Sequence, residues 1–225
     1  MGHPIFGGAE VGEAGESGIA VKICGLTVLE EAENAVAAGA AALGVNFYPP
    51  SKRFLPPGRR DWLREVSGGA VRVGVFVNAE VSVIREAFDA GWIDWAQLHG
   101  DESPSHGVEL ERAGIPFIKA VGVRGEASLV GIREFGAGVI LLDAYCPGQY
   151  GGGGRTFDWT LAGKFVSENP DLKVLLSGGL TPENVAAAVT AVRPAGVDVA
   201  SGVETAPGRK DASLLRRFVA AAQSA

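Results

Sequence analysis

The chain alternates β-branched apolar runs with Ala- and Leu-rich stretches of helical periodicity, and this alternation repeats eight times from Ile19 onward. The predicted strands lie near 19–24, 41–47, 71–77, 93–98, 116–121, 138–143, 172–177 and 196–200. The predicted helices lie near 28–38, 57–66, 80–90, 105–113, 126–135, 158–166, 182–192 and 211–222. Near-continuous apolar strands are typical of a parallel sheet covered by helices, and closing that sheet leaves no exposed edge. We therefore predict an α/β fold, a single TIM (βα)8 barrel.

The domain organisation follows from the same pattern. Residues 1–18 are rich in Gly and Glu and have little to pack, which predicts a short, flexible or disordered N-terminal extension. Residues 19–225 then form one barrel domain of usual length. An open doubly wound sheet is the alternative, but the first strand is not followed by the Gly-x-Gly-x-x-Gly turn of its dinucleotide-binding version. Two helix starts carry capping signals, Thr181 before Pro182 and Asp211 before the last helix.

Charge and cysteine content argue against several functions. A net charge of −6 and a pI near 5.2 disfavour a nucleic-acid or anionic-membrane surface. No apolar run is long enough to span a bilayer, and the amino terminus lacks the pattern of a secretion signal. The two cysteines, Cys24 and Cys146, are too few for a disulfide scaffold and form no metal-binding cluster with the histidines. We expect a cytoplasmic protein without a nucleic-acid or membrane partner and without a metal.

Cys24 closes the first predicted strand and is the first candidate for chemistry. The loops after the strands of such a barrel face one mouth, where ligands bind. A free cysteine is more often a small buried hydrophobe. However, Lys22 shares its strand face and would favour the thiolate, and Gly25 permits a turn that leaves the thiol uncovered.

Asp143 ends the sixth predicted strand, in the apolar segment Val139-Ile-Leu-Leu-Asp143. An unpaired carboxylate is costly to bury, so packing alone seldom explains one there, although a capping role is the alternative. In dry surroundings such a group can act as an acid. The first and sixth strands lie well apart around an eight-stranded ring, so Cys24 and Asp143 would flank a ligand as a base and an acid.

Glycine-rich turns follow the last two predicted strands and predict a phosphate site. Gly178 and Gly179 follow the seventh strand, and Ser201 and Gly202 follow the eighth. Backbone N–H groups exposed there, with nearby helix starts, can bind a phosphate dianion, although glycines that only form turns are the alternative. Asp198 would face the barrel interior and orient these loops. The run 151–154 is either a flexible loop or a closing lid.

Three further side chains join Lys22, Asp198, Ser201 and the loop glycines as candidates for substrate contacts. Gln97 and His99 share a face at the end of the fourth strand and could bind substrate hydroxyls, or simply form a polar layer at the rim. Arg53 follows the second strand, and its guanidinium could bind a carboxylate through two hydrogen bonds, or remain solvated.

Nine segments in register resemble the phosphoribosylanthranilate isomerase family over about 20–211. They are Val21-Lys-Ile-Cys-Gly-Leu-Thr27, Asn46-Phe-Tyr-Pro-Pro-Ser-Lys-Arg53, Val73-Gly-Val-Phe-Val-Asn78, Gln97-Leu-His-Gly100, Lys119-Ala-Val121, Leu141-Leu-Asp143, Gly153-Gly-Arg-Thr-Phe-Asp-Trp159, Leu176-Ser-Gly-Gly-Leu180, and Val197-Asp-Val-Ala-Ser-Gly-Val-Glu204 followed by Pro207-Gly-Arg-Lys-Asp211. The resemblance implies a step of tryptophan biosynthesis, the Amadori rearrangement of N-(5′-phosphoribosyl)anthranilate to 1-(2-carboxyphenylamino)-1-deoxyribulose 5-phosphate.

The resemblance also implies residue roles. Cys24 matches the family's general base, Asp143 its general acid, and Arg53 the arginine that holds the anthranilate carboxylate. The phosphate-binding glycines match Gly178, Gly179 and Gly202, and Gly154 is expected to contact the substrate too. No metal or organic cofactor is expected, and the protein is expected to be a monomer or a homodimer. The chemistry requires Asp143 to begin protonated and Cys24 to act as the thiolate, both near neutral pH.

Other functions remain open at this stage. Related sugar-phosphate isomerases of histidine biosynthesis carry an aspartate where this chain has Cys24. A transferase with a thiol nucleophile would need His99 close to Cys24. A non-catalytic binder of phosphorylated ligands would keep its affinity without Cys24 and Asp143.

Overall fold

The computed structural model describes residues 18–145 and 156–225, and within these ranges eight parallel strands form a closed barrel. The strands are β1 (Ala20–Cys24), β2 (Ala42–Asn46), β3 (Val71–Phe76), β4 (Trp95–Leu98), β5 (Phe117–Val123), β6 (Val139–Ala144), β7 (Lys173–Leu176) and β8 (Gly196–Val199). Each strand pairs with the next in sequence, and β8 pairs with β1. The predicted TIM barrel is confirmed, and the open sheet is excluded. The predicted extension, Cys146, Gly154 and the 151–154 run lie outside the described residues, apart from Gly18.

Helices cover the outside of the barrel. They are α1 (Leu29–Ala37), α2 (Val81–Asp89), α3 (Pro104–Arg112), α4 (Trp159–Glu168), α5 (Val185–Val192) and α6 (Ala212–Gln223). Asp211 caps α6 as predicted, because its carboxylate accepts from the N–H groups of Ser213 and Leu214. No helix in the described ranges combines the length and the apolar character needed to cross a bilayer.

Two of the predicted helices are wrong. The segment predicted at 57–66 forms two short 3-10 turns, Pro57–Arg59 and Asp61–Arg64, and the one predicted at 126–135 forms Glu126–Leu129 and Ile132–Phe135. In the second case Gly131 takes a left-handed φ of +76°, which interrupts the helical hydrogen bonds. The predicted start of α5 at Pro182 is also wrong, because Pro182 lies in a turn and α5 begins at Val185.

The register of the strands separates an apolar layer inside the barrel from a polar one. Side chains that fill the interior come mostly from alternate strand positions, and they are Ala42, Val71, Val73, Trp95, Ile118, Ala120, Val139, Leu141 and Leu175. Because side chains two positions apart share a strand face, the next inward positions are Gln97, Asp143 and Ser177. Lys22 pairs with Ala42 and Asp198 in register, so both charged residues also face inward. The barrel interior is therefore apolar below and polar toward the carboxyl ends of the strands.

Candidate active site

A buried ion pair lies beside Cys24 at the seam between β1 and β8. Lys22 Nζ lies 2.7 Å from Asp198 Oδ1, and the Lys22 side chain is fully buried. Ser177 Oγ donates to Asp198 Oδ2 at 3.2 Å. Burial disfavours the Lys22 ammonium, but Asp198 and Cys24 outweigh it, so the pKa of Lys22 lies above its ordinary value. Lys22 is therefore held as a cation next to the thiol.

The ionisation of Cys24 results from opposing effects. Burial raises the pKa of the Cys24 thiol and Asp198 adds to that rise, while Lys22 and Lys210 lower it without cancelling it. The expectation that Lys22 favours the thiolate is correct in sign, but burial is stronger. Cys24 as a residue is only partly buried, at the carboxyl end of β1.

Close packing of β2 fixes the position of the thiol. Gly44 pairs with Cys24 in register, and a Cβ built on Gly44 would lie 2.7 Å from Cys24 Sγ. On the other side, Gly25 has a left-handed φ of +79°, and a Cβ there would overlap Arg53 Cδ. Both glycines are needed because larger residues would displace either the thiol or the arginine.

Arg53 belongs to a second cluster of charges, which also reaches Cys24. Its Nε and Nη2 donate to the two carboxylate oxygens of Glu204 at 2.8 and 2.6 Å. Lys210 Nζ lies 2.7 Å from Glu204 Oε1 and is fully buried. Burial disfavours the Glu204 carboxylate, but Arg53 and Lys210 outweigh it, so the pKa of Glu204 lies below its ordinary value. The two cations therefore pair with one ionised carboxylate, that of Glu204, although burial lowers the pKa of Lys210.

Glu204 and Lys210 were missed as site residues by the sequence analysis. They lie on an antiparallel hairpin of β9 (Glu204–Ala206) and β10 (Arg209–Lys210), which was not predicted. The hairpin turns at Gly208, whose carbonyl accepts from Thr27 Oγ1 in the loop after β1. The sequence signal that could have found them is the Pro207-Gly208 turn, which has Glu204 on one side and Lys210 on the other and follows the last strand closely.

Asp143 is linked to Gln97 through His99. Gln97 Nε2 lies 2.9 Å from His99 Nδ1, and His99 Nε2 lies 3.4 Å from Asp143 Oδ2. The other carboxylate oxygen, Oδ1, accepts from the N–H of Ala144. Gln97 Oε1 is buried and has no hydrogen-bond partner among the described residues. The three predicted residues therefore form one chain of contacts, with the Asp143 carboxyl at its end.

His99 does not serve the thiol. Its contacts within the described ranges are with Gln97 and Asp143, whereas the ionisable groups that act on Cys24 are Lys22, Asp198, Lys210 and Arg53. A thiol-nucleophile transferase needs a Cys–His pair. The geometry therefore gives that alternative no support.

A second buried pair supports the turn after His99. Lys119 Nζ lies 2.6 Å from Glu102 Oε2 and donates to the Gly100 carbonyl at 2.8 Å. Glu102 in turn accepts from the N–H groups of Asn78 and Gly100. The loops after β3 and β4 are thereby fixed to β5, which holds His99 in place.

The loops after β7 and β8 contact each other, as a phosphate site requires. Gly178 and Gly179 have left-handed φ values of +90° and +61°. A Cβ on Gly178 would lie 2.6 Å from the Ala144 nitrogen, and one on Gly202 would overlap the Leu180 carbonyl. Such glycine turns form concavities lined by N–H groups that bind anions. The start of α5 is further along the chain than expected, so the turn itself offers these groups.

Comparisons with known proteins show which family the chain resembles. A family model described as N-(5'phosphoribosyl)anthranilate (PRA) isomerase matches residues 21–221. The N-(5'-phosphoribosyl)anthranilate isomerase of Myxococcus xanthus (strain DK1622) is 46% identical over 211 residues, which cover 92% of this chain and 97% of that protein. The crystal structure of phosphoribosyl anthranilate isomerase from Thermotoga maritima has a TM-score of 0.82 at 40% identity, covering 92% of this chain and 100% of that one. A crystal structure of such an isomerase in complex with reduced 1-(o-carboxyphenylamino)-1-deoxyribulose 5-phosphate has a TM-score of 0.79 at 39% identity, with the same coverage.

Proposed function

This chain belongs to the N-(5′-phosphoribosyl)anthranilate isomerase family, and from that premise we propose that Cys24 is its general base and Asp143 its general acid. The protein is an isomerase of tryptophan biosynthesis that converts N-(5′-phosphoribosyl)anthranilate to 1-(2-carboxyphenylamino)-1-deoxyribulose 5-phosphate. The observation that carries the proposal is the placement of these two groups at the carboxyl ends of β1 and β6 of one closed barrel.

Asp143 donates the first proton. It protonates the ring oxygen of the ribose while the C1′–O bond breaks, and the nitrogen lone pair forms the C1′=N bond of a Schiff base. When Gln97 Nε2 donates to His99 Nδ1, the ring proton lies on Nε2, 3.4 Å from Asp143 Oδ2. This N–H then stabilises the carboxylate that forms as the proton leaves for the ring oxygen.

Cys24 removes the second proton. Its thiolate takes the proton from C2′, and the electron pair of that C–H bond forms the C1′=C2′ bond while the C1′=N pair returns to nitrogen. The enolamine that results tautomerises to the ketone. Three cations, Lys22, Arg53 and Lys210, act on the thiol, against the carboxylates Asp198 and Glu204. One positive charge is left over, and it offsets part of the effect by which burial disfavours the thiolate.

Binding groups hold the two ends of the substrate. Arg53 binds the anthranilate carboxylate in this proposal, which is supported by the position of its side chain over Gly25, next to Cys24. Gly178, Gly179, Ser201 and Gly202 offer backbone N–H groups to the phosphate dianion. The proposed substrate therefore spans from the loop after β2 to the loops after β7 and β8. We place the protein in the cytoplasm, as a monomer or homodimer; light scattering decides between the two.

Steady-state kinetics tests the assignment. Cys24→Ala and Asp143→Asn should each lower kcat by about 10²–10⁴-fold, the usual contribution of a general acid or base. Arg53→Ala should mainly raise KM. The matched control is Asp61→Asn, which changes an exposed carboxylate that pairs with Arg64 at 3.5 Å. The disappearance of substrate fluorescence gives the rate, and near wild-type kcat in either of the first two variants contradicts the proposal.

A further inference from the structure

We propose that Glu204 is a positioning residue that selects which edge of the Arg53 guanidinium faces the substrate carboxylate. The inference rests on the proposed role of Arg53 and goes beyond it, because it names the group that prepares the arginine for binding. Glu204 itself touches no substrate atom in this proposal. It acts through Arg53 alone.

The hydrogen bonds of Arg53 define the free edge. A guanidinium has five N–H donors in one plane, and a carboxylate can bind two parallel donors along one edge. Glu204 occupies the edge formed by Nε and Nη2, at 2.8 and 2.6 Å. The edge formed by Nη1 and the second hydrogen of Nη2 is left for another carboxylate. The anthranilate carboxylate can therefore bind Arg53 without displacing Glu204.

Glu204 is fixed independently of Arg53. Lys210 Nζ binds Glu204 Oε1 at 2.7 Å and is itself held by the Ala200 carbonyl at 3.0 Å. The N–H of Gly208 donates to the same carboxylate oxygen at 3.2 Å. Only 4% of the Glu204 side chain is exposed. The carboxylate is thus a rigid reference, and the arginine takes its orientation from it.

Preorganisation explains why this matters for affinity. A long arginine side chain free in a loop loses rotamer entropy when it is ordered on a ligand. Arg53 is 13% exposed and already ordered by Glu204, with the missing side chain of Gly25 making room for its stem. Without Glu204 the substrate carboxylate would have to order Arg53 itself, so binding would weaken while the proton transfers remain.

The experiment measures the binding of two ligands, reduced 1-(o-carboxyphenylamino)-1-deoxyribulose 5-phosphate and the same compound without its carboxylate. Glu204→Ala should weaken binding of the carboxylate ligand by about tenfold or more, because that ligand must then order the Arg53 side chain itself. Binding of the other ligand should change less than about twofold, since Arg53 has nothing to bind there. Glu126→Ala is the matched control, because it removes an exposed ion pair with Lys164.

A second variant covers the case in which Glu204→Ala destabilises the fold by leaving Lys210 buried without its partner. The double variant Glu204→Ala/Lys210→Met removes both charges, and its ligand discrimination is compared with that of Lys210→Met alone. Expected again is a loss of about tenfold or more for the carboxylate ligand only. Equal losses for both ligands, or no loss, overturn the inference. Arg53→Ala separates the two levels. If it too leaves the relative affinity for the carboxylate ligand unchanged, the proposed role of Arg53 is wrong. If Arg53→Ala weakens binding of the carboxylate ligand alone and Glu204→Ala does not, only the role of Glu204 is refuted.

Discussion

The ion pair between Lys22 and Asp198 should control both the stability of the barrel and the ionisation of Cys24, and the two effects can be separated by mutation. Lys22 is fully buried and Asp198 is nearly so, with 2.7 Å between Nζ and Oδ1. Removing one partner of a buried pair costs about 3–5 kcal/mol, because the remaining charge has no compensation. That is a large part of the roughly 5–15 kcal/mol by which a domain is stable.

The single variants Lys22→Met and Asp198→Asn should therefore each lower the free energy of unfolding by about 3–5 kcal/mol. In Lys22→Met the loss should lie at the lower end, since Ser177 Oγ still donates to Asp198. The double variant should recover most of the loss, because replacing both charges by neutral groups of similar volume is often close to neutral. Denaturant unfolding followed by circular dichroism measures all three values.

Ionisation of the thiol should change in opposite directions in the two single variants. Lys22 lowers the pKa of Cys24, so Lys22→Met should raise it, and the rate of alkylation should then increase only at higher pH. Asp198 raises the pKa of Cys24, so Asp198→Asn should lower it. Alkylation by iodoacetamide across a pH series measures this in a Cys146→Ser background, which leaves one reactive thiol. Shifts of the same sign in both variants, or stability losses below about 1 kcal/mol, would refute the reasoning.

Two further substitutions test the packing and the acid. Gly44→Ala should displace the thiol, because its Cβ would lie 2.7 Å from Cys24 Sγ, and kcat should fall by about tenfold or more. The control Gly58→Ala, with open space around it, should leave the kinetics and the melting temperature unchanged. His99→Ala should lower kcat by about tenfold with a smaller change in KM, because Asp143 loses its contact at 3.4 Å. His106→Ala on α3 is the control, and an unchanged kcat in His99→Ala would contradict a role for His99 in proton donation.

The sequence predicted the barrel and most strand positions because those signals are local. Lys22, Cys24 and Asp143 could be found from the alternation of side chains along a strand and from the shared mouth of a parallel barrel. The 3-10 turns at 57–64 and 126–135 could not be distinguished from helices, since both carry apolar residues at similar spacing. Their glycines and prolines decide the conformation only in combination with packing.

The part of the site that was missed depends on contacts between distant segments. Arg53 and Glu204 are 151 positions apart, and no local pattern indicates that they meet. The hairpin of β9 and β10 brings Glu204 and Lys210 back toward the first strands. Their charged side chains, of a kind usually found on the surface, are buried as a result. Arg53 could therefore be predicted as a candidate site residue, but its ion pair with Glu204 could not.

The seam between β1 and β8 has a consequence for how the protein is made. Lys22 and Asp198 are separated by 176 positions, so at about 5–20 residues per second a ribosome adds the aspartate roughly 10–35 s after the lysine. Until then the ammonium must stay hydrated, and the first strand has no neighbour on one side. A nascent chain that stops before Gly196 lacks both the counter-ion of Lys22 and β8, the last strand of the barrel. Enzymatic competence should therefore arise in one step, near the end of translation.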